Sequence, residues 1–117
     1  MKPAPASLDE FIAELVAIFP DFAKRIEPLE NDEELSYHSL LLFVFNPFFA
    51  KHIEEFTPKQ LKRFAELVVR CVNAPGPVEN ALDTCFLEHT RQMKVNKQLN
   101  AYLREARRAY DRGLAKG

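Results

Sequence analysis

The stretch Asn73-Ala-Pro-Gly-Pro-Val-Glu-Asn-Ala-Leu-Asp-Thr-Cys-Phe-Leu-Glu-His89 decides how the rest of the chain is read. It opens on a break and continues as a helix. Pro75 stops a preceding helix, because its ring replaces the amide hydrogen and collides with the turn before it, and Gly76 tolerates the turn angle. Pro77 suits the first helical position, where a missing N–H costs nothing. Val78, Ala81, Leu82, Cys85, Phe86 and His89 then recur at three- and four-residue spacing and share one face. Glu79, Asn80, Asp83 and Thr84 fall on other sides, and the early acids favour the positive end of the helix dipole. The spacing predicts an amphipathic helix over residues 77–91 that buries one stripe, cysteine included.

Working back from this break, Leu61, Phe64, Ala65, Val68, Val69, Cys71 and Val72 hold a helical period up to Asn73. Thr57-Pro58-Lys59-Gln60 starts that helix with a cap, a proline and a capping-box glutamine. Asn46-Pro47 reads as a similar start for a short helix with Phe48, Phe49, His52, Ile53 and Phe56 inward. Leu40-Leu-Leu-Phe-Val-Phe45 is apolar on every side, which predicts a central element. A buried strand competes for so short a run, but no partner strand is found and helix is favoured. Ser7-Leu-Asp-Glu10 is a capping box for a first helix carrying Phe11, Ile12, Leu15, Val16 and Phe19. Pro20 ends it, Asp21 to Ile26 offers a short further turn, and Glu27 to Glu34 reads as acidic loop. Beyond the break, Asn96 is placed as the cap of a last helix running to Gly113, with Leu99, Tyr102, Leu103, Ala106 and Tyr110 as its stripe. The predicted fold is all-α: a single compact bundle of five to six helices with short Pro/Gly-punctuated turns. It spans residues 7–113, between a disordered 1–6 and a flexible 114–117.

A chain of 117 residues suits one domain burying roughly 65% of its unfolded surface. Ten phenylalanines supply a core with no need of disulfide or metal. Two cysteines make no framework, and Met1-Lys-Pro-Ala-Pro-Ala-Ser7 lacks the apolar run of a signal peptide. The run Leu40–Phe45 is far short of the ~20 residues that span a bilayer. These features point to a cytoplasmic protein with no membrane partner. The net charge of −1 is unevenly placed: residues 1–34 carry nine acids against three bases, and residues 91–117 carry eight bases against two acids. Such a split marks an interaction tail, or two ends that neutralise each other across the bundle, and the second is the plainer reading.

Cys85 and His89 stand four apart on one face, a spacing that holds two metal ligands, with Cys71 as a third candidate. Both cysteines, however, lie on apolar stripes, where cysteine packs as a small hydrophobe; packing is favoured over metal or thiol chemistry. A Cys71–Cys85 disulfide fits worse still. Glu79, Asp83 and Glu88 are explained by a polar helix face rather than by a catalytic carboxylate pair, which needs a cleft that separates the two pKa values. Tyr37 and His38 read as border residues of the greasy run. No nucleophile elbow, P-loop, dinucleotide fingerprint or His-Glu-x-x-His is present. The expectation is a non-enzymatic protein without cofactor. Helices 58–73 and 77–91 mimic a helix-turn-helix, but acids on the second would meet phosphates with the wrong sign. The basic terminal helix, with Arg91, Lys94, Lys97, Arg104, Arg107, Arg108 and Arg112, is the better surface for nucleic acid or an acidic partner. A solvated helix face explains most of this charge equally well, and nucleic acid is not favoured as a partner.

The run Val78-Glu-Asn-Ala-Leu-Asp-Thr-Cys-Phe-Leu-Glu88 resembles a segment of a family of small bacterial all-helical proteins, similar to immunity proteins of toxin systems. The resemblance implies a bacterial cytoplasmic binding protein and transfers no site residues. A helical protein-interaction module, toxin-neutralising or self-associating, is therefore the leading reading. In it, Glu30, Asp32, Glu33 and Glu34 would face a basic partner. The alternatives are a regulator acting through Arg104, Arg107 and Arg108, or a metal or thiol protein using Cys71, Cys85 and His89. Four phenylalanines between Phe43 and Phe49 exceed what a small core readily covers, which makes a homodimer an expectation too.

Overall fold

Ser7 opens the first helix from an extended backbone, its hydroxyl accepting the Glu10 N–H at 3.2 Å. The computed structural model describes residues 3–29, 34–73 and 94–116. Helix α1, Leu8–Ile18, follows the expected capping box with one change: the Glu10 carboxylate accepts the Ala6 N–H at 2.7 Å, one residue upstream of the cap. Pro20 ends the helix, and a 3-10 turn Pro20–Phe22 leads into α2, Ala23–Ile26. Part of the stretch read as acidic loop, Glu27–Leu29, is a further 3-10 turn. The opening residues are described from Pro3 onward. Pro5 is buried, and the Pro3 carbonyl accepts from Arg70 at 3.1 Å.

The second helical stretch differs from its sequence reading at both ends. It begins at a reciprocal capping box in which the Ser36 and Ser39 hydroxyls accept each other's backbone N–H. From there α3, Tyr37–Ser39, a π-helical segment, Leu40–Phe45, and α4, Asn46–His52, follow without a break. Asn46 is not an N-cap: its backbone is helical, with φ −56° and ψ −46°. Its N–H reaches the Leu41 carbonyl, five residues back. This wider hydrogen-bond register precedes Pro47, which has no N–H to continue an α ladder. The strand alternative for 40–45 is discarded. The segment is not the centre of the fold either, since Phe43 is 73% exposed and Leu42 and Val44 are only half-buried.

That central place belongs to α5, Pro58–Val72, where Phe64, Ala65, Leu67, Val68, Val69, Arg70 and Cys71 are all buried. Its start is the expected box, Thr57 accepting from Gln60 N–H at 3.1 Å and Gln60 Oε1 from Thr57 N–H at 2.9 Å. Gln60 also donates through Nε2 to the Ile18 carbonyl at 3.0 Å, tying α5 to the end of α1. The final helix α6, Lys94–Lys116, packs on α5. It begins ahead of Asn96, which is not its cap, and carries Gly113 in its interior. Among the described residues there is no strand.

The core is aromatic. The Phe19 ring lies 4.4 Å from Phe56, 5.6 Å from Phe64 and 6.0 Å from Phe45, while Phe49 and Phe64 stand 5.1 Å apart. Tilted and edge-on rings of this kind add about 0.5–1.5 kcal/mol per pair beyond area burial. The radius of gyration, 13.7 Å, is close to the ~13 Å of a folded chain this long.

Candidate functional site

Helix α6 is amphipathic, and its two faces have different fates. Leu99, Leu103 and Ala106 are buried against the core, with Tyr102 and Tyr110 half-buried beside them. This is the stripe its period predicts. On the outside, Arg104, Arg107, Arg108 and Arg112 are exposed. Arg104, Arg108 and Arg112 follow one another at four-residue spacing, so they form a file with a step of about 6 Å along the axis. With Ala101 and Glu105 they line an open groove of about 460 Å³. A narrower groove of about 120 Å³ shares Glu105 and Arg112 with it and runs between α5 and α6. Tyr102, Ala106 and Ala109 line it from α6, and Lys62 and Glu66 from α5.

Among the described residues, none of these four arginine side chains makes a hydrogen bond or ion pair. No ion pair among the described residues, then, joins these four arginines to the acids of residues 1–34. The turn Glu27–Leu29 packs on α2. The fold instead builds a pair that sequence reasoning missed. Arg70 donates to both Glu14 oxygens, Nη2 to Oε1 at 2.8 Å and Nη1 to Oε2 at 3.2 Å, joining α5 to α1. Its signal was a lone charge in the apolar run Leu67-Val-Val-Arg-Cys-Val72.

The other sequence candidates are scattered. Cys71 is fully buried, and burial pushes its thiol from 9.0 up to about 12, with Arg70 pulling it back and Glu14 adding to the rise. A thiol so placed is held as a neutral hydrophobe, because the thiolate that binds metal or attacks is the disfavoured form. Cys85, His89 and the helix 77–91 lie outside the described residues, as do Glu30, Asp32 and Glu33. Glu34 is exposed. Among the described residues no three His, Cys, Asp or Glu side chains are grouped to hold a metal ion, and no helix is long and apolar enough to cross a membrane.

Tyr37 meets Phe11 edge-on at 5.6 Å, and burial raises its phenol above the ordinary value; His38 is exposed. His52, expected inside, sits at the border: its Nδ1 is hydrogen-bonded to Glu55 Oε2 at 2.5 Å, and its ring lies 4.9 Å from Phe48. Beside it is a depression of about 100 Å³ that Asp21 and Gln60 also line. Of the four phenylalanines from 43 to 49, Phe45, Phe48 and Phe49 are inside the core. The apolar excess expected to drive a homodimer thus reduces to one ring, Phe43.

Fold and surface together define a small all-α domain with a cationic groove along its last helix. The chain belongs to the family described as a domain of unknown function (DUF7674), which matches residues 12–114. No curated protein and no solved structure matches it.

Proposed function

We propose that this chain is a non-enzymatic protein-interaction module that receives an acidic partner on the outer face of α6. The observation that carries this reading is the file Arg104, Arg108 and Arg112, exposed and without an ion-pair partner among the described residues. Guanidinium groups take carboxylates through two parallel hydrogen bonds. An exposed row of them at one repeat is matched by a row of acids. Binding of a fluorescein-labelled polyglutamate peptide at low salt tests it. The triple variant Arg104→Ala/Arg108→Ala/Arg112→Ala should bind at least about ten-fold more weakly, and affinity should fall as salt rises. Equal binding by the triple variant would remove α6 as the interface.

The sharper, immunity-type form of the module has a basic toxin engage Glu30, Asp32, Glu33 and Glu34 instead. It is supported by the resemblance of residues 78–88 and by the excess of acids in residues 1–34. Reversing those four charges should weaken capture of a basic nuclease domain and flatten its salt dependence. Unchanged capture would leave α6 as the working surface.

A further inference from the structure

Resting on the α6 reading, we infer that the partner segment is an extended acidic stretch that carries an aliphatic anchor, and that the anchor enters the groove between α5 and α6. Three features of the surface select this chemistry. The first is spacing. Arg104, Arg108 and Arg112 step by about 6 Å, and alternate side chains of an extended strand step by about 6.6–6.8 Å. Acids at every second position of a strand would therefore meet successive guanidiniums.

The second is the composition of the face. From residue 99 to 113 all four cations are arginine and none is lysine, the pattern of protein interfaces, which are enriched in arginine and depleted in lysine. Glu105 lines the file among the arginines. A nucleic-acid backbone, with its dense continuous charge, would run over that carboxylate. A peptide can place an uncharged residue there.

The third is the adjoining groove. From α6 it is lined by Tyr102, Ala106 and Ala109 between the charged Glu105 and Arg112, and the two small alanines leave the room. Its volume of about 120 Å³ compares with the roughly 150 Å³ apolar cavity that admits benzene. A leucine-sized side chain fits it, and a tryptophan does not. Lys62 and Arg112 flank the opening against Glu66 and Glu105, so charges of both signs surround the anchor site while the cationic excess lies along the file. Carboxylates would settle on the file and the aliphatic group beside it.

Three probes on the full chain decide this: a seven-residue peptide with alternating glutamates and one leucine, the same peptide with glycine for leucine, and a single-stranded oligonucleotide of equal charge. The leucine peptide should bind below about 1 mM, and the glycine peptide about five- to ten-fold more weakly, as expected for losing part of a buried leucine. Ala109→Leu should fill the groove, leave the far-UV spectrum unchanged, and abolish the difference between the two peptides. Equal affinity of both peptides for the unmodified protein, with arginine dependence kept, would overturn the anchor and leave the α6 interface standing. An oligonucleotide that binds more tightly than either peptide through the same arginines would make the partner a nucleic acid and overturn the acidic-segment assignment. No arginine-dependent binding by any probe would take down the interface itself.

Discussion

Cys71 is where packing and chemistry compete at a single atom, and its environment decides for packing. Unfolded, the thiol loses its proton near its ordinary value of 9.0; folded, it keeps it to about 12. Between those values the unfolded chain binds fewer protons than the folded one, so stability falls as pH rises. The loss begins near pH 9 and grows to at most about 4 kcal/mol by pH 12. Tyr37, raised from 10.0 by burial, adds in the same direction. The urea midpoint of the unmodified protein should therefore drop more steeply between pH 8.5 and 10.5 (roughly the onset of this window) than that of Cys71→Ala. Parallel slopes would mean the thiol is exposed to water. The phenylalanines make a second test at this scale. Phe43→Ser should change stability by no more than about 0.5 kcal/mol, while Phe45→Ala, two residues along the same helix and fully buried, should cost about 3–5 kcal/mol. Light scattering on Phe43→Ser also tests self-association, since a dimer seated on that ring would become a monomer.

Between elements, the Arg70–Glu14 pair couples α1, α5 and the opening residues, and its two members are unequally placed. The Arg70 side chain is 5% exposed and that of Glu14 21%. Removing the carboxylate strands a guanidinium in the interior, whereas removing the guanidinium leaves a carboxylate that can reach water. Glu14→Gln should therefore cost about 3–5 kcal/mol and Arg70→Met less, with the double variant recovering part of the loss. Chemical denaturation of the four proteins measures this, and an inverted order would contradict the placement. The same pair shows what was legible in sequence. Starts at Ser7 and Thr57 were readable because a cap and its partner lie three residues apart. The burial of Arg70 was not, because its partners Glu14 and Pro3 lie 56 and 67 residues away. Asn46-Pro47 misled for a local reason. A cap before a proline and a π-turn before a proline look alike in sequence, and the reciprocal box at Ser36 and Ser39 was the true start. The arginines of α6 could be counted in advance. That Arg104, Arg107, Arg108 and Arg112 have no ion-pair partner among the described residues could not be counted, because pairing depends on which distant side chains the fold brings near.

For the whole molecule the open question is whether α6 is part of one cooperative unit, as the prediction of a single domain over residues 7–113 requires. Helix α6 docks on α5, and Leu103 belongs to the same core cluster as Phe19 and Phe45. If the docking is integral, loss of the α6 stripe should be felt throughout. Leu103 is 2% exposed, and Leu103→Ala should cost about 2–5 kcal/mol. The decisive feature is the shape of the transition. The chain has no tryptophan and three tyrosines, of which Tyr37 packs on Phe11 while Tyr102 and Tyr110 lie on α6. Tyrosine signals resolved by replacing Tyr37, or both Tyr102 and Tyr110, with Phe should melt together with the far-UV helical signal. The calorimetric and van't Hoff enthalpies should agree. In Leu103→Ala all of these should move down as one. An α6 tyrosine signal that melts ahead of Tyr37, in either protein, would make the last helix a separately docking segment rather than part of one cooperative unit.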